Sequence, residues 1–314
     1  MQPRVSVVIP TLDGQRWLPD CLAALAGQTF TQFEVILVDN RNGEATRGFD
    51  DGYAGLSITR LLNDHNRGFA PAANHGLRAS RSEFVALLND DTKPSPGWLE
   101  ALLRAAEPPD VGACASLMVF DAAPGIVQSA GIAMDRAAIA WDRLRGQPVG
   151  AAQAATDVFG ASGGAALYRR AMLDEIGLLD ERFVSYLEDV DLAWRAQRSR
   201  WRCVYVPQAA VRHVTSATAG EGSRFKNRML GRNKVWLAAK NSRWRDLPVV
   251  AWYDIAAVFY ALLVRRDAAP MLGRLDAVAG LPAALRARAD AGARKPTRGL
   301  SALAAPWNVP KRMG

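Results

Sequence analysis

The sequence predicts an α/β fold in which a mostly parallel sheet is flanked by helices. Short apolar runs that stop at polar residues, such as 5–9 and Phe84–Leu88, indicate buried strands. Apolar residues at helical spacing lie between such runs, as in 17–25. Strands that alternate with helices favour parallel pairing, with helices on both faces of the sheet.

The elements follow in order along the chain. Strands are predicted at 5–9, 33–38, 57–62 and Phe84–Leu88, and with weaker patterns at Val111–Phe120, 125–134 and 202–206. Helices are predicted at 17–25, ended by Gly27, and at 68–79 and 98–106. We expect the Ala- and Gly-rich segment 137–155 to form a loop over a cleft.

Polar residues follow these strands, and right-handed crossovers gather the carboxyl ends of the strands at one edge. The residues concerned are Thr11, Asp39, Asn66, Arg67, Asn89, Asp90 and Asp91. Adjacent carboxylates repel unless a cation lies between them, and a divalent cation that carries phosphates commonly fills that place. The alternative is a turn in which Asp91 or Thr92 caps the next helix. The stretch 84–94 alone does not separate the two interpretations.

A second acidic segment lies at 183–195. Ser185 and Glu188 match a helix capping box, in which Glu188 would only bond the backbone of the first helical turn. Asp191 and Arg195 have the spacing of an intrahelical ion pair. Asp189 lies at the predicted helix N-terminus, where positive partial charge favours the ionised carboxylate, so it is a candidate general base. A solvated surface acid is the alternative.

The interpretation of two further features, His213 and the glycines at 160–164, depends on the acidic sites. His213 is structural unless Asp90 and Asp91 hold a metal, in which case imidazole could complete its shell. The glycines in 160–164, among them Gly163 and Gly164, indicate either close approach of the backbone to a ligand or a flexible turn.

Composition limits the classes of protein. The 314 residues are 49% hydrophobic with a net charge of +8, which indicates a globular chain with an acidic ligand, an anionic membrane surface or nucleic acid as partner. No early Lys/Arg-rich stretch interleaves with aromatic residues, so nucleic acid ranks last. Three widely spaced cysteines, which form no CxxC pair, indicate a reducing compartment. Without a signal-peptide pattern, we expect a cytoplasmic protein, or one on the cytoplasmic side of a membrane.

The composition of the chain changes near residue 221, where basic residues and apolar residues at helical spacing begin. We expect a main domain at 1–220, a helical appendage at 221–292 and a disordered tail at 293–314. The apolar run 247–264, interrupted by Asp254, is at the lower length limit for a membrane span. Its central acid and flanking aromatic residues favour a helix in the membrane interface. A buried helix of the appendage is the alternative.

Taken together, these segments resemble the family 2 inverting nucleotide-sugar glycosyltransferases, which have the GT-A fold. The matching pieces are VSVVIPT at 5–11, Asp39, NRGFAPAANHGL at 66–77, LLNDD at 87–91, GASGGAALYRR at 160–170, YLEDVDLAWR at 186–195 and RHVTSATAG at 212–220. They occur in family order. The segments at 66–77 and 186–195 are most similar to the branch of rhamnosyl- and galactofuranosyltransferases that builds bacterial cell-envelope polysaccharides.

The resemblance implies a role for each site residue. It assigns nucleotide contacts to Thr11 and Asp39, with Arg67 and Asn74 nearby, and a DxD-type motif to Asn89, Asp90 and Asp91. Asn89 stands where the motif has aspartate, so Asp90 could bind metal or ribose, while Asp91 would hold Mg²⁺ or Mn²⁺ together with His213. It assigns the catalytic base to Asp189, with Glu188 as its neighbour. Gly163 and Gly164 would line the donor-sugar or acceptor pocket.

The implied reaction is a single displacement at the anomeric carbon. The donor would be a nucleoside-diphosphate sugar such as dTDP-rhamnose, and the acceptor a saccharide or lipid-linked hydroxyl. Two other classes are considered. A sugar-nucleotide nucleotidyltransferase would need a glycine-rich phosphate loop after the first strand, which PTLDGQR matches poorly. A non-catalytic scaffold would not need both acidic sites.

Overall fold

A computed structural model of the chain describes residues 2–49, 53, 55–214 and 223–290. Its strands are β1 Val5–Thr11, β2 Phe33–Asp39, β3 Ile58–Leu62, β4 Phe84–Leu88, β5 Thr92–Pro94, β6 Val111–Phe120, β7 Ala123–Ser129, β8 Ile132–Met134, β9 Ala140–Asp142, β10 Thr156–Val158, β11 Ala165–Arg169 and β12 Arg202–His213. Its helices are α1 Gly14–Ala26, α2 Phe69–Ala79, α3 Trp98–Ala105, α4 Arg170–Ile176, α5 Glu188–Arg198, α6 Arg224–Asn241, α7 Leu247–Leu263 and α8 Ala269–Asp290.

The main sheet runs in the order β10-β12-β6-β11-β4-β1-β2-β3, with β5 beside β12 and β7 beside β6. β1 pairs in parallel with both β2 and β4, and β2 pairs in parallel with β3. β12 and β6 are also parallel, but β11 runs antiparallel to both of its neighbours, β4 and β6. The predicted α/β class is therefore confirmed, and the sheet is mixed because β11 lies between two parallel groups.

Helices cover both faces of the sheet, as the continuous apolar strands predict. In β1, Val8 packs into a cluster with α2, whereas Val7 and Ile9 pack into a second cluster with α1 and α3. Successive side chains of a strand point to opposite faces, so a strand covered on both sides must be apolar throughout. This layering brings the carboxyl ends of β1, β2 and β4 to one edge.

Three predicted elements differ from the structure. The segment 137–155 is not a simple loop, because Ala140–Asp142 forms β9 and pairs with β8. The strand predicted at 125–134 is divided into β7 and β8 by Gly131, whose φ of +87° turns the chain. The strand predicted at 202–206 continues to His213, and its last residues pair with β5. Very short strands such as β9 carry too few residues to show periodicity.

The helix α7 is exposed, so the alternative of a buried helix is wrong. Trp252 is 72% exposed and Phe259 is 57% exposed. Asp254, which interrupts the apolar run, is neutralised by Arg274 at 2.6 Å and by Lys234 at 3.1 Å. By length and composition alone the segment Trp244–Leu263 could cross a membrane, and a single such helix is weak evidence. The predicted tail at 293–314 lies outside the described residues.

A buried charge network joins α5 to α6. Asp191 is fully buried and accepts hydrogen bonds from Arg195 at 2.9 Å, Lys240 at 2.8 Å and Asn241 at 2.8 Å. Burial alone would raise the pKa of Asp191, but the charges of Arg195 and Lys240 outweigh it, and the pKa is lowered. The ion pair predicted between Asp191 and Arg195 is present, and it extends into the C-terminal helices.

We predict that Asp191→Asn lowers the free energy of unfolding at pH 7 by about 3–5 kcal/mol, because buried cations lose their counter-charge. Glu100→Gln, which removes an exposed partner of Arg104, is the control and should change it by less than about 0.5 kcal/mol. Both are measured by urea denaturation. Since the pKa of Asp191 lies below its ordinary 3.8, the wild-type advantage holds above pH 3.8 and shrinks below it. Equal losses in the two variants would contradict the prediction.

Candidate functional site

The ends of β1 and β4 meet through a hydrogen bond between side chains. Thr11 donates from its hydroxyl to Oδ2 of Asp90 at 2.5 Å. Burial is the main cause that raises the pKa of Asp90 to about 6, while the bond from Thr11 opposes the shift and the charge of Asp91 adds to it. The parallel register of β1 with β4 thus brings Thr11 to the predicted DxD-type segment.

Asp91 and His213 form a second contact at the same edge. Oδ1 of Asp91 lies 3.0 Å from Nε2 of His213, and both side chains are about nine-tenths buried. The pairing of His213 in β12 with Thr92 in β5 brings the imidazole to this position. On its other side, Nδ1 of His213 lies 2.9 Å from Oε1 of Gln128. With the proton on Nδ1 in that bond, the Nε2 lone pair would be available to a cation shared with Asp91.

This pair fits a divalent cation that also binds a ligand. A carboxylate oxygen and an imidazole nitrogen converge on one point, and the Gln128 bond orients the imidazole as outer partners of metal ligands commonly do. Within the described ranges, no group of three or more His, Cys, Asp or Glu side chains could hold a metal ion. Phosphate oxygens of a bound ligand are among the donors that could complete the shell.

The glycine segment connects the two acidic sites. The backbone N–H of Asn89 donates to the carbonyl of Gly164 at 2.9 Å, and the N–H of Gly163 donates to Oδ2 of Asp189 at 2.9 Å. A Cβ on Gly164 would lie 3.3 Å from the side-chain Nδ2 of Asn89, so the absence of a side chain at Gly164 permits this close packing. The structure thus bonds Asp189 and Asn89, two residues before Asp91, to adjacent residues of one short segment.

Glu188 is buried and Asp189 is half-buried beside this segment, in different environments. Burial raises the pKa of Asp189, but it accepts hydrogen bonds from the N–H groups of Gly163 and Val190, which favour its ionised form. Burial, together with the charge of Asp189, raises the pKa of Glu188 to about 8. Oε2 of Glu188 has no hydrogen-bond partner among the residues described. These environments favour the proton on Glu188 over the proton on Asp189.

The predicted capping box is wrong, because the backbone before α5 is left-handed. Val184, Tyr186 and Leu187 have φ values of 64°, 72° and 68°, and each such residue costs on the order of 1–3 kcal/mol. The helix begins only at Glu188, and its preceding residue makes no side-chain cap. Ser185 instead accepts a hydrogen bond from the N–H of Phe69 in α2 at 3.2 Å. Spacing alone could not reveal these left-handed residues.

A cavity of about 450 Å³ lies beside the end of β2, lined in part by Asn40 and Arg41. Asp39 is buried behind the wall of this cavity and holds the loop that forms the wall. The fully buried carboxylate of Asp39 accepts bonds from the N–H of Arg41 at 2.7 Å and from the N–H and hydroxyl of Thr46 at 2.8 and 2.7 Å. Arg67 is exposed near this cavity, and its N–H donates to the Asn40 side chain at 3.1 Å.

Asn74 lies away from this cavity. It is 1% exposed, and its side-chain amide donates to the carbonyl of Leu179 at 2.8 Å and to Glu181 at 3.0 Å. Its side-chain oxygen accepts from the N–H of Leu179 at 3.1 Å. In this structure, Asn74 ties α2 to the turn that precedes the acidic helix.

The sequence analysis did not identify three residues near the acidic sites: Gln128, Asp142 and Lys226. Gln128 orients His213, and Asp142 of β9 is close enough to raise the pKa of Asp189. Burial raises the pKa of Asp142, and Lys226 of α6 is among the cations that oppose the shift. Lys226 also lies 5.6 Å from the ring of Tyr186. Asp142 belongs to the segment predicted as a loop, where no pattern marked it.

Comparisons with known proteins agree with this geometry. A family model described as glycosyl transferase family 2 matches residues 6–177, more than half of the chain. The O-antigen biosynthesis protein RfbC of Myxococcus xanthus is 27% identical over 69% of this chain and 18% of its own length. The N-acetylglucosaminyl-diphospho-decaprenol L-rhamnosyltransferase of Mycobacterium tuberculosis is 27% identical over 73% of this chain and 82% of its own. The chain spans less than half the length of the first curated relatives it matches.

Solved structures show the same fold. The mannosyltransferase PcManGT of Pyrobaculum calidifontis, in complex with GDP-Man and Mn²⁺, superposes with a TM-score of 0.56 at 18% identity, over 92% of this chain and 87% of that one. TarS 1–349 of S. aureus, in complex with UDP-GlcNAc, superposes with a TM-score of 0.52 at 16% identity, over 95% and 100%. At these identities the likeness concerns the fold alone.

We predict that Gly68→Ala disturbs the loop before α5. Gly68 has a φ of +89°, and a Cβ there would lie 2.4 Å from a methyl carbon of Val184 and 2.8 Å from its carbonyl oxygen. Gly48→Ala is the matched control, because its φ is +86° and nothing lies within 4 Å of the added Cβ. Urea denaturation should show a loss of about 1–2 kcal/mol for the control and about 1–3 kcal/mol more for Gly68→Ala. Equal losses would contradict the predicted clash.

Proposed function

Because the chain belongs to glycosyl transferase family 2 and has the GT-A fold, we propose that it is an inverting glycosyltransferase. It moves a sugar from a nucleoside-diphosphate sugar to a hydroxyl group of a saccharide or lipid-linked acceptor in cell-envelope polysaccharide synthesis. The names of its relatives, an O-antigen biosynthesis protein and a rhamnosyltransferase that acts on a decaprenol-linked sugar, support this acceptor class. dTDP-rhamnose is the first candidate donor for the same reason.

One observation carries the proposal: Gly163 and Gly164 join a candidate cation site to a candidate base. Gly163 bonds Asp189, and Gly164 bonds Asn89, two residues before Asp91. A glycosyl transfer that inverts the anomeric carbon needs a group on each side of that carbon, one for the departing diphosphate and one for the incoming hydroxyl. The donor sugar would lie beside this segment, between the candidate cation site and the candidate base.

Asp189 acts as the general base. The two N–H groups that donate to it keep the carboxylate ionised and fix its direction. It takes the proton of the acceptor hydroxyl as the new bond forms at the anomeric carbon. Glu188 stays protonated, so that the buried pair holds one negative charge rather than two. The partial positive charge at the N-terminus of α5 further favours the ionised form of Asp189.

The nucleotide lies on the other side of the glycine segment. Asp91 and His213 would hold Mg²⁺ or Mn²⁺, which neutralises the charge of the departing diphosphate when it is bound. Thr11 orients Asp90, which with Asn89 faces the same edge and is proposed to contact the donor.

The base and ribose would occupy the cavity beside β2. Asp39 contributes by shaping the loop that forms the cavity wall, and Arg67 contributes at the cavity's rim. Asn74, which resemblance placed near the nucleotide, is proposed to act through the turn that it holds.

We further propose that the C-terminal appendage, predicted at 221–292 and containing α6, α7 and α8, rests on an anionic lipid surface at the inner face of the cytoplasmic membrane. Trp252, Phe259 and Leu263 of α7 are between 57% and 74% exposed, and such a row of large apolar side chains suits the acyl boundary of a bilayer. Arg265 and Arg266, both exposed, follow directly and suit anionic headgroups. A lipid-linked acceptor would be available at that surface, while residues 1–220 hold the catalytic domain.

We predict that Asp189→Asn lowers kcat by about 10²–10⁴-fold, because the isosteric amide cannot accept the proton. Binding of the donor should change little. Glu188→Gln, which imitates the protonated acid, should keep most of the wild-type kcat at pH 7. Release of nucleoside diphosphate from dTDP-rhamnose, UDP-GlcNAc and GDP-mannose with Mn²⁺ measures turnover, and thermal shift measures binding. Equal turnover by Asp189→Asn and the wild type would remove Asp189 from this role.

We predict that the wild-type protein sediments with vesicles of phosphatidylglycerol and phosphatidylcholine, and much less with phosphatidylcholine alone. The double variant Trp252→Glu and Phe259→Glu should bind at least about tenfold more weakly than the wild type, because two apolar side chains no longer enter the bilayer. Leu62→Glu, which changes a 53% exposed apolar residue on β3, is the control and should bind like the wild type. Unchanged binding by the double variant would exclude α7 as the contact surface.

A further inference from the structure

The strained loop before Asp189 is held by a residue from the C-terminal helices. Asn233 of α6 is fully buried, and its side-chain NH₂ group donates to three backbone carbonyls of that loop. The acceptors are Phe183 at 2.9 Å, Ser185 at 2.8 Å and Tyr186 at 2.7 Å. One amide group therefore bonds three of the five residues 183–187 that lead into the acidic helix.

The orientation of the Asn233 amide is determined by its neighbours. Its oxygen accepts from Nε of Arg232 at 2.9 Å, and Nη2 of Arg232 donates to the carbonyl of Phe183 at 2.8 Å. The nitrogen must therefore face the three carbonyls. Carbonyl dipoles that converge on one point repel one another unless a donor lies between them, and here the Asn233 NH₂ group supplies that donor.

Helix α2 holds the opposite side of the same loop. The N–H of Ala70 donates to the carbonyl of Val184 at 2.9 Å, and the N–H of Phe69 donates to the hydroxyl of Ser185 at 3.2 Å. Left-handed residues other than glycine persist only where their surroundings hold them, and this loop contains three. Leu187, the last of them, is the N-cap of α5, so its conformation sets the direction in which Asp189 leaves the loop.

We infer that Asn233 is a positioning residue for Asp189, through which α6 completes the active site. The inference rests on the proposed function of Asp189 as base. Asn233 keeps Val184, Tyr186 and Leu187 left-handed, and this loop keeps the Asp189 carboxylate against the N–H of Gly163. A structural asparagine would stabilise the fold only. A positioning asparagine also changes the rate of the chemical step without changing the binding of the donor.

Hydrogen exchange of the full-length protein tests directly whether Asn233 holds the loop before α5. In Asn233→Ala, amides within 183–191 should exchange faster than in the wild type, because the loop opens more often. Asn241→Ala is the matched control, since Asn241 is a buried asparagine of the same helix that bonds Asp191 and not the loop. It should leave exchange at 183–187 unchanged. Unchanged exchange in Asn233→Ala would overturn the inference, whether or not the protein transfers sugar.

Kinetics then separate positioning from folding. With the nucleotide sugar that the wild type turns over in the panel above, Asn233→Ala should lower kcat on the order of 10²-fold with little change in the KM for the donor. Adding Leu187→Gly should recover part of the lost kcat, because glycine adopts the left-handed conformation without strain. A further additive loss in the double variant would overturn the inference. If the wild type turns over no donor, the proposed function fails, and hydrogen exchange still decides whether Asn233 holds the loop.

Discussion

The hydrogen bond from the N–H of Gly163 to Asp189 is the contact on which the rest of the site depends. The next residue, Gly164, accepts from the N–H of Asn89 at the end of β4. Two adjacent glycines therefore connect the start of α5 to the end of a central strand, although the chain separates them by about a hundred residues. Without this connection, the two acidic segments would have no common cleft.

A cleft that collects carboxylates must limit their repulsion, and this protein does so in several ways. Burial and the charge of Asp189 raise the pKa of Glu188, which favours its neutral form, and the pKa of Asp90 is raised to about 6. Behind the cleft, Asp191 is neutralised by buried cations, so that it contributes stability instead of adding to the repulsion.

The sequence predicted the features that arise from local pattern. Apolar runs located β1, β2 and β4, and the parallel topology placed Thr11 and Asp91 at one edge of the sheet. Features that depend on contacts between distant segments were not predictable. The left-handed residues before α5 contain no glycine, and they exist because α2 and α6 hold them. Gln128 and Asn233 belong to no motif in the sequence, and only the folded chain shows what they contact.

The central claim is that both acidic segments act on one bound donor, and a crystal structure with a bound donor tests it most directly. Crystals of the Asp189→Asn variant would be grown with Mn²⁺ and the nucleotide sugar that gives the largest thermal shift. Anomalous scattering then locates manganese. The account predicts one manganese ion bonded to Asp91 and His213, with the anomeric carbon of the sugar between that ion and residue 189. Manganese bound elsewhere, or a sugar turned away from residue 189, would contradict it.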